Sequence, residues 1–474
     1  MTLPERRAMA DLFDSYPYRE RFEVLHAMPE QGRPRADVIA ELEAMARDED
    51  AVWASGQCSG TIYHGDPEHY AFLGEAFTRF SHANALQRDM CPSATRFEGE
   101  ILAMALDLMH AGQVTDATPA GMVTSGGTDS ILHAMLCYRE EATARGVSRP
   151  TIVKPETAHP AFTKAAHLFG MGLTVVPVDP ATTRVDPERM AAAIDADTAV
   201  VVASAGNYPY GTIDPIADLG QVALARGVGL HVDGCLGGFI LPFGEELGYA
   251  VPPFDFRVPG VTSISADTHK YGYGLKGTST LLFRDKGLRN RSYFFVPDWS
   301  GGKYFSPGIA GSRSVGLLAS TWASMVTLGR EGYLEQARGI FAVAQSLAEV
   351  VRATPELHLI GDSPFVVAFG SSELDIYHVN DALKARGWRF NGLQYPDALH
   401  LAVTGPQLQA GVIDRFARDL ADAVTYARER HGTPAASAAL YGGVPGGLTP
   451  AASMFITAVM TQMMDAQQSV PAPS

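Results

Sequence analysis

The chain has 474 residues, of which 46% are hydrophobic and 19% are charged, and it carries a formal net charge of -15 at pH 7. This length predicts two or three domains, and the composition is ordinary for a globular protein. The acidic charge argues against nucleic acid or an anionic membrane as the main partner.

The N-terminal segment, residues 1–60, is predicted to form short, charged helices. Residues 1–7 are not followed by the apolar stretch of a signal peptide, and no charge-free apolar run reaches the ~18 residues that a membrane span needs. The four cysteines form no C-x-x-C pair, which favours reduced thiols over a disulfide framework or a zinc site. We therefore expect a cytoplasmic protein without a transmembrane anchor or a bound metal ion.

From residue 98 onwards, amphipathic helices alternate with short apolar strands. Helices are predicted at 98–111, 130–140, 161–169, 187–194 and 216–226, and strands at 151–153, 173–178, 199–202, 229–232 and 261–264. Such alternation predicts an α/β fold with a mostly parallel, doubly wound sheet, which binds ligands at the carboxyl ends of its strands. We assign residues 61–328 to this large domain. A long helix at 334–353, followed by short elements, predicts a smaller C-terminal α+β domain at 329–474.

A glycine-rich turn precedes the helix predicted at 130–140. It reads Thr124-Ser125-Gly126-Gly127-Thr128. Glycines allow the backbone to approach an anion closely, the helix N-terminus offers free N–H groups and a partial positive charge, and Thr128 adds a hydroxyl. On its own such a turn is more often plain N-capping, so it predicts a phosphate cradle only in combination with other features.

Two further segments follow predicted strands and carry charged side chains. Asp233 ends the strand at 229–232, and because a buried carboxylate is costly unless it is paired, a pyridinium nitrogen would be a suitable partner. Lys270, beside His269 after the strand at 261–264, is placed to form a Schiff base, for which burial and nearby cations would lower its pKa. Taken singly, Asp233 could cap a turn and Lys270 could be a surface lysine.

The order of these segments is more specific than any one of them. His159 follows the strand at 151–153 and offers an aromatic face for stacking, although a lone histidine in this setting is more often structural. Four features then follow one another across one parallel sheet: the phosphate cradle, the stacking histidine, the ring aspartate and the lysine. This layout is that of the aspartate-aminotransferase-like fold (fold type I), and it predicts pyridoxal 5'-phosphate as the cofactor.

Several longer motifs resemble those of one family. The sequence around the lysine, SISADTHKYGY at 263–273, strongly resembles the lysine segment of sphingosine-1-phosphate lyases. The same family is matched by SGTIYHG at 59–65, PFDFRV at 253–258, DWSGG at 298–302 and SPGIAGSR at 306–313. The similarity is strongest between residues 59 and 333. The chain thus resembles the bacterial, soluble branch of this family, which belongs to the group II pyridoxal-phosphate-dependent decarboxylases.

This resemblance implies retro-aldol cleavage of a phosphorylated sphingoid base into a long-chain aldehyde and phosphoethanolamine. The cofactor-binding residues that it implies are Gly127, Thr128, His159, Asp233, His269 and Lys270, with Ser312 of the partner subunit. The residues implied around the substrate head group and the scissile bond are Tyr63, Asn84, Tyr208, Lys276 and Arg313. For the proton transfer, Lys270, Tyr208 and Lys276 remain alternatives. The resemblance also implies an obligate homodimer with composite active sites.

The chain departs from the family pattern close to the implied head-group site. Where the family reads Asn-Pro-Leu-His-Pro-Asp, this chain reads NALQRD at 84–89. Gln87 thus replaces a head-group histidine, and Arg88 is a new cation beside it. We expect Arg88 to bind the substrate phosphate, with a solvated surface arginine as the alternative. Gly234 and Asp129 stand where the family has Ala and Glu, and they leave the cofactor residues intact.

Two other functions are compatible with these residues. A group II amino-acid decarboxylase shares the fold and the cofactor but would bind a substrate carboxylate; the altered Gln87 segment slightly favours it, whereas the other implied head-group residues favour the lyase. A catalytically idle binding protein of the same fold is disfavoured, because Lys270, Asp233 and His159 are all retained.

Overall fold

The computed structural model describes residues 16–430, 432–443 and 448–468. The first part of the predicted N-terminal helical segment, residues 1–15, therefore lies outside the described residues, as do residues 431, 444–447 and 469–474 of the predicted C-terminal domain. The helices are α1 (Arg35–Trp53), α2 (Pro67–Arg79), α3 (Pro92–Leu108), α4 (Gly127–Ala144), α5 (Ala161–Phe169), α6 (Pro187–Ala193), α7 (Ile216–Arg226), α8 (Leu241–Glu246), α9 (Lys286–Arg289), α10 (Val315–Arg352), α11 (Ile376–Ala385), α12 (Val412–Arg428), α13 (Ala438–Tyr441) and α14 (Pro450–Gln467). The strands are β1 (Ala120–Thr124), β2 (Thr151–Pro155), β3 (Gly172–Val176), β4 (Thr198–Ser204), β5 (Gly229–Asp233), β6 (Val261–Ala266), β7 (Ser279–Phe283), β8 (Phe294–Val296), β9 (Tyr304–Ser306), β10 (His358–Leu359), β11 (Val366–Gly370), β12 (Asn391–Leu393) and β13 (Ala398–Ala402).

The large sheet has seven strands in the order β1-β7-β6-β5-β4-β2-β3. The five strands from β6 to β3 are parallel, whereas β7 runs antiparallel to both β6 and β1. All of β4 and nearly all of β5 and β6 are buried, as expected for strands covered by helices on both faces. The predicted α/β fold with a mostly parallel sheet is therefore confirmed.

Two hydrophobic clusters cover the two faces of this sheet. In β4, Val200 and Val202 belong to one cluster, and Val201 and Ala203 belong to the other, because side chains alternate along a strand. The first cluster includes residues of α4 and α5, and the second includes residues of α7, α10 and the C-terminal part of the chain. This layering brings the carboxyl ends of β2, β4, β5 and β6 to one edge of the sheet.

The C-terminal part contains a second sheet, with four antiparallel strands in the order β10-β11-β13-β12. Helices α11 and α12 pack against each other beside it. The 38-residue α10 connects this part to the large sheet, and its helical geometry breaks at Gly329, where φ is 54°. Glycine adopts such a left-handed φ without strain. We keep residue 329 as the proposed start of the small domain.

Some elements lie where the sequence predicts them, and others are not predicted. The helices predicted at 161–169 and 216–226 have these bounds in the structure, whereas β1, β7 and the β8–β9 hairpin are not predicted. In the described part of the N-terminal segment there is one long helix, α1, where several short helices are expected. Among the described residues, no helix combines the length and the apolar character needed to cross a membrane.

Candidate active site

The loop between β6 and β7 carries the predicted lysine. Nζ of Lys270 lies 3.0 Å from Oδ2 of Asp267, and the same oxygen lies 3.6 Å from Nε2 of His269. The buried Asp267 also accepts a 2.6 Å hydrogen bond from Oγ of Ser279. Burial alone lowers the pKa of Lys270, but Asp267 and Tyr63 raise it more. The expectation of a lowered pKa at Lys270 is therefore wrong for this arrangement, because a carboxylate three residues earlier stabilises the ammonium form.

A second lysine of the same loop has the lowered pKa instead. Nζ of Lys276 donates a 3.0 Å hydrogen bond to the carbonyl oxygen of His269 and lies 4.6 Å from the centroid of the Tyr63 ring, within cation–π range. One side of Lys276 is open to solvent, yet burial of its ammonium group and, secondly, the Lys270 cation lower its pKa to about 8. Burial raises the pKa of Tyr63 to about 12. The loop thus presents one amine that is partly neutral near physiological pH, and it lies beside the Tyr63 phenol, which keeps its proton.

Asp233 is the last residue of β5, and it is 8% exposed. Its Oδ1 accepts hydrogen bonds from the N–H of Cys235 at 3.1 Å and from Oγ of Ser265 at 3.4 Å. Within the described residues, Oδ2 has no hydrogen-bond partner. One carboxylate oxygen is thus held by neighbouring residues, and the other remains available to accept a hydrogen bond from a ring N–H.

His159 lies in the turn after β2, and its neighbours fix its orientation. Nδ1 accepts a 3.1 Å hydrogen bond from the N–H of Ala161, so Nε2 carries the proton of the neutral ring. Nζ of Lys154 donates a 3.1 Å hydrogen bond to the carbonyl oxygen of Ala158 and so stabilises the turn. Burial lowers the pKa of His159, which favours the neutral imidazole. The Tyr208 ring meets it edge-on, with 6.4 Å between the ring centroids.

The glycine-rich turn forms the start of α4, where Gly126 is the N-cap and supplies no side-chain cap. A Cβ on Gly127 would lie 2.7 Å from Oδ2 of Asp267, so only glycine fits at this approach to the lysine loop. Nδ1 of His269 is buried and has no hydrogen-bond partner among the described residues. Thr128 is exposed at the start of the helix. Free helix N–H groups and an unpaired imidazole nitrogen fit the phosphate of pyridoxal 5'-phosphate.

A second group of predicted residues lies around a shared carboxylate. Nδ2 of Asn84 donates a 2.9 Å hydrogen bond to Oγ of Ser312, and Oδ1 accepts a 3.2 Å hydrogen bond from the N–H of Arg313. Two guanidinium nitrogens of Arg313 lie 3.0 and 3.1 Å from the oxygens of the buried Glu98, and Arg88 forms an ion pair with the same carboxylate. Burial raises the pKa of Glu98, but the two arginines lower it more. The positive charge of Arg88 is therefore partly compensated by the Glu98 carboxylate.

The predicted site residues thus fall into two groups within one chain. The first group comprises Tyr63, Gly127, Thr128, His159, Tyr208, Asp233, His269, Lys270 and Lys276. The second group comprises Asn84, Arg88, Ser312 and Arg313, and all but Asn84 line a cavity of about 580 Å³. In the described part of the chain, no hydrogen bond, ion pair or ring contact joins this second group to Lys270, His159 or Asp233.

Three residues that support these two groups are not identified by the sequence analysis. Asp267 pairs with Lys270, Lys154 stabilises the His159 turn, and Glu98 joins Arg88 to Arg313. Two of them have a signal in the sequence: Asp267 stands three residues before the lysine, and Lys154 is a charged residue in an apolar strand, where burial requires a partner. Glu98 has no such signal, because Arg96 and Glu100 flank it.

The fold and the first group of residues define a pyridoxal-phosphate enzyme of fold type I. The sequence model of the pyridoxal-dependent decarboxylase conserved domain matches residues 20–369. A sphingosine-1-phosphate lyase of Dictyostelium discoideum is 41% identical over 86% of this chain and 76% of its own length, and one of Arabidopsis thaliana is 40% identical over 94% of this chain and 80% of its own length. The structure of a Burkholderia pseudomallei K96243 sphingosine-1-phosphate lyase is 52% identical with a TM-score of 0.90, covering 96% of this chain and all of that one. The chain belongs to the sphingosine-1-phosphate lyase family, as the motif resemblance predicted.

A more distant structure shows the fold alone. A glutamate decarboxylase of Lactobacillus brevis CGMCC 1306 is 22% identical, with a TM-score of 0.73 over 87% of this chain. The group II decarboxylases therefore share the architecture, and the choice between the two reactions rests on the family and on the residues of the site.

Proposed function

We propose that this enzyme cleaves a phosphorylated sphingoid base between the carbons that bear the amine and the hydroxyl, which yields a long-chain aldehyde and phosphoethanolamine. Membership of the lyase family supports this proposal. The structural observation that carries it is the position of Lys276, whose Nζ is held in the Lys270 loop by the His269 carbonyl and lies over the Tyr63 ring. Burial of this amine lowers its pKa to about 8. A retro-aldol cleavage needs a base for the substrate hydroxyl, and an amine with a pKa near the working pH suits that role.

The first group of residues would hold the cofactor. Lys270 is the proposed attachment point, and Asp233, with its available Oδ2, would pair with the ring nitrogen. His159 would stack on the ring, while Gly127 and His269 would contact the phosphate, with Thr128 and the partner subunit's Ser312 nearby. When bound, pyridoxal 5'-phosphate supplies an electron sink for the pair released by the broken carbon–carbon bond.

Among the three candidates for proton transfer, the pKa directions favour Lys276 as the base. The pKa of Lys270 is raised in its ion pair with Asp267, and burial raises the pKa of Tyr208. Both groups therefore hold their protons more tightly than Lys276 does. The Tyr208 ring lies beside His159, and Tyr208 would orient the substrate or donate a proton to it.

The second group of residues would serve the head group in a composite site. We propose a homodimer in which Asn84, Ser312 and Arg313 reach the partner subunit's cofactor. This fits the observation that, within the described residues of one chain, no hydrogen bond or ion pair joins them to Lys270. Arg88 is proposed to contact the substrate phosphate, although Glu98 already binds it. We place the enzyme in the cytoplasm, because its four cysteines are unpaired.

The alternative function is amino-acid decarboxylation. The test is product analysis by mass spectrometry after incubation with sphingosine 1-phosphate or dihydrosphingosine 1-phosphate, with Lys270→Ala as the inactive control. We expect equimolar phosphoethanolamine and long-chain aldehyde from the wild type. If both products are absent and carbon dioxide is released from an amino acid, the enzyme is a decarboxylase and the proposed lyase function is wrong.

A further inference from the structure

Tyr208 lies in the turn between β4 and α7, and its side chain is much more exposed than those of its neighbours. Its neighbours Asn207 and Tyr210 are 2% and 5% exposed, whereas Tyr208 itself is 49% exposed. One side of its ring meets His159. The other contact is the imidazole of His400, which comes from β13 of the small sheet, with 4.9 Å between the ring centroids and a 70° angle between the planes. The side chain proposed to act on substrate is thus held by a residue from another part of the chain.

His400 also binds the backbone of the Tyr208 turn. It is 1% exposed, and its Nδ1 lies 2.8 Å from the carbonyl oxygen of Pro209. Its Nε2 lies 3.0 Å from Nδ2 of Asn391, the residue paired with it on β12. A carbonyl only accepts and an amide N–H only donates, so these contacts require Nδ1–H and an unprotonated Nε2. The imidazole is therefore neutral in a single tautomer.

The N-terminal part of the chain completes this network. Nδ2 of Asn391 donates a second hydrogen bond, of 2.8 Å, to Oγ of Ser59, and this oxygen also accepts the N–H of Ala402 at 3.0 Å. Burial lowers the pKa of His400 to about 4, so the neutral form persists across physiological pH. Three distant segments therefore determine where the Tyr208 turn lies.

We propose that His400 is a positioning residue for Tyr208, which it holds over the active site through the Pro209 carbonyl and the edge-on ring contact. This inference rests on the proposed function, because it takes Tyr208 to act on the substrate. It assigns the small domain a part in the reaction: His400 fixes the Tyr208 turn, and Asn391 and Ser59 fix the tautomer of His400.

The main test is a double-mutant cycle that combines His400→Leu with Tyr208→Phe. A misplaced catalytic group commonly costs tenfold to a hundredfold in rate, so we expect roughly that loss of kcat in His400→Leu with a smaller change in KM. In the Tyr208→Phe background, the same change should cost less than about twofold, because its effect passes through the missing hydroxyl. The matched control is His378→Leu, which removes another buried histidine of the small domain with a backbone partner.

Two further variants address folding and chemistry. If His400→Leu does not fold, Asn391→Leu takes its place in the cycle, since it removes the N–H that sets the tautomer. In His400→Asn, the side-chain amide keeps a donor for the Pro209 carbonyl, so most of the wild-type kcat should return. Equal losses in both Tyr208 backgrounds, or a loss no larger than in His378→Leu, would overturn the proposal.

A readout independent of activity is 15N NMR of histidine-labelled enzyme, assigned by comparison with His400→Asn. We expect neutral Nδ1–H imidazole at His400 from about pH 5.5 to about pH 8. An Nε2–H tautomer or an imidazolium in this range would overturn the assignment. If the wild type releases no phosphoethanolamine, the proposed function fails, while the NMR result still decides the tautomer.

Discussion

The pKa of Lys276 leads to a prediction about the pH dependence of the reaction. Its pKa is lowered from 10.5 to about 8. At pH 7 an amine with a pKa of 8 is neutral in about one molecule in ten, against about one in three thousand for an ordinary lysine. The surroundings of Lys276 therefore increase the fraction of neutral amine that can act as the base. Because the neutral amine is the base, activity should rise with pH and level off above the pKa.

The assay is kcat/KM measured from about pH 6 to about pH 9 on a phosphorylated sphingoid base. We expect the wild type to gain about tenfold per pH unit up to a break near pH 8. Lys276→Arg keeps a cation but cannot lose its proton in this range, so it should remove the break and lower kcat/KM by roughly a hundredfold or more. Lys286→Arg, a change at an exposed lysine at the start of α9, should behave like the wild type.

The second ionisation of the substrate phosphate falls near pH 6 and can be told apart from a break near pH 8. A flat profile between about pH 7 and about pH 9, or a break near pH 8 that survives in Lys276→Arg, would refute the assignment of the base.

Three other perturbations test the site. Asp267→Asn removes the carboxylate that keeps Lys270 protonated. The pH midpoint for reconstitution of the apoenzyme, measured by cofactor absorbance, should therefore shift to lower pH, and an unchanged midpoint contradicts this role. Mixing Lys270→Ala with Ser312→Trp should restore activity in heterodimers from two inactive parents, whereas no recovery and a monomeric mass would exclude a composite site. Glu98→Gln leaves Arg313 with a weaker partner and should lower the free energy of unfolding by about 1–3 kcal/mol in urea titrations; an unchanged midpoint would mean that the ion pair is not formed in solution.

The layered fold and most of the cofactor site follow from local patterns in the sequence. Buried parallel strands are continuous apolar runs, as in β4, and the polar residues that end them mark the ligand edge of the sheet. Strand β7 is also fully buried, but it runs antiparallel to β6 and follows the lysine loop with no helix between the two strands. It is therefore not recognised from alternation with helices.

The interactions that tune the site depend on residues far apart in the chain. The sequence predicts that Arg88 binds the substrate phosphate, with a solvated surface arginine as the alternative. In the structure Arg88 pairs with Glu98, ten residues away on the buried face of α3. His400 stands 191 positions from Pro209, whose carbonyl it binds. No spacing rule within one element predicts such contacts. The Arg88–Glu98 pair joins a loop to the helix that follows it, and the His400–Pro209 contact forms only when the small sheet packs on the large one.

The reaction breaks the bond between the amine-bearing and hydroxyl-bearing carbons of the substrate. The most direct measurement uses dihydrosphingosine 1-phosphate labelled with 13C at both carbons, with mass spectrometry of all products. We expect one label in phosphoethanolamine and the other in the long-chain aldehyde, in equal amounts, and neither product from Lys270→Ala. Intact doubly labelled substrate, or both labels in one product, would contradict it.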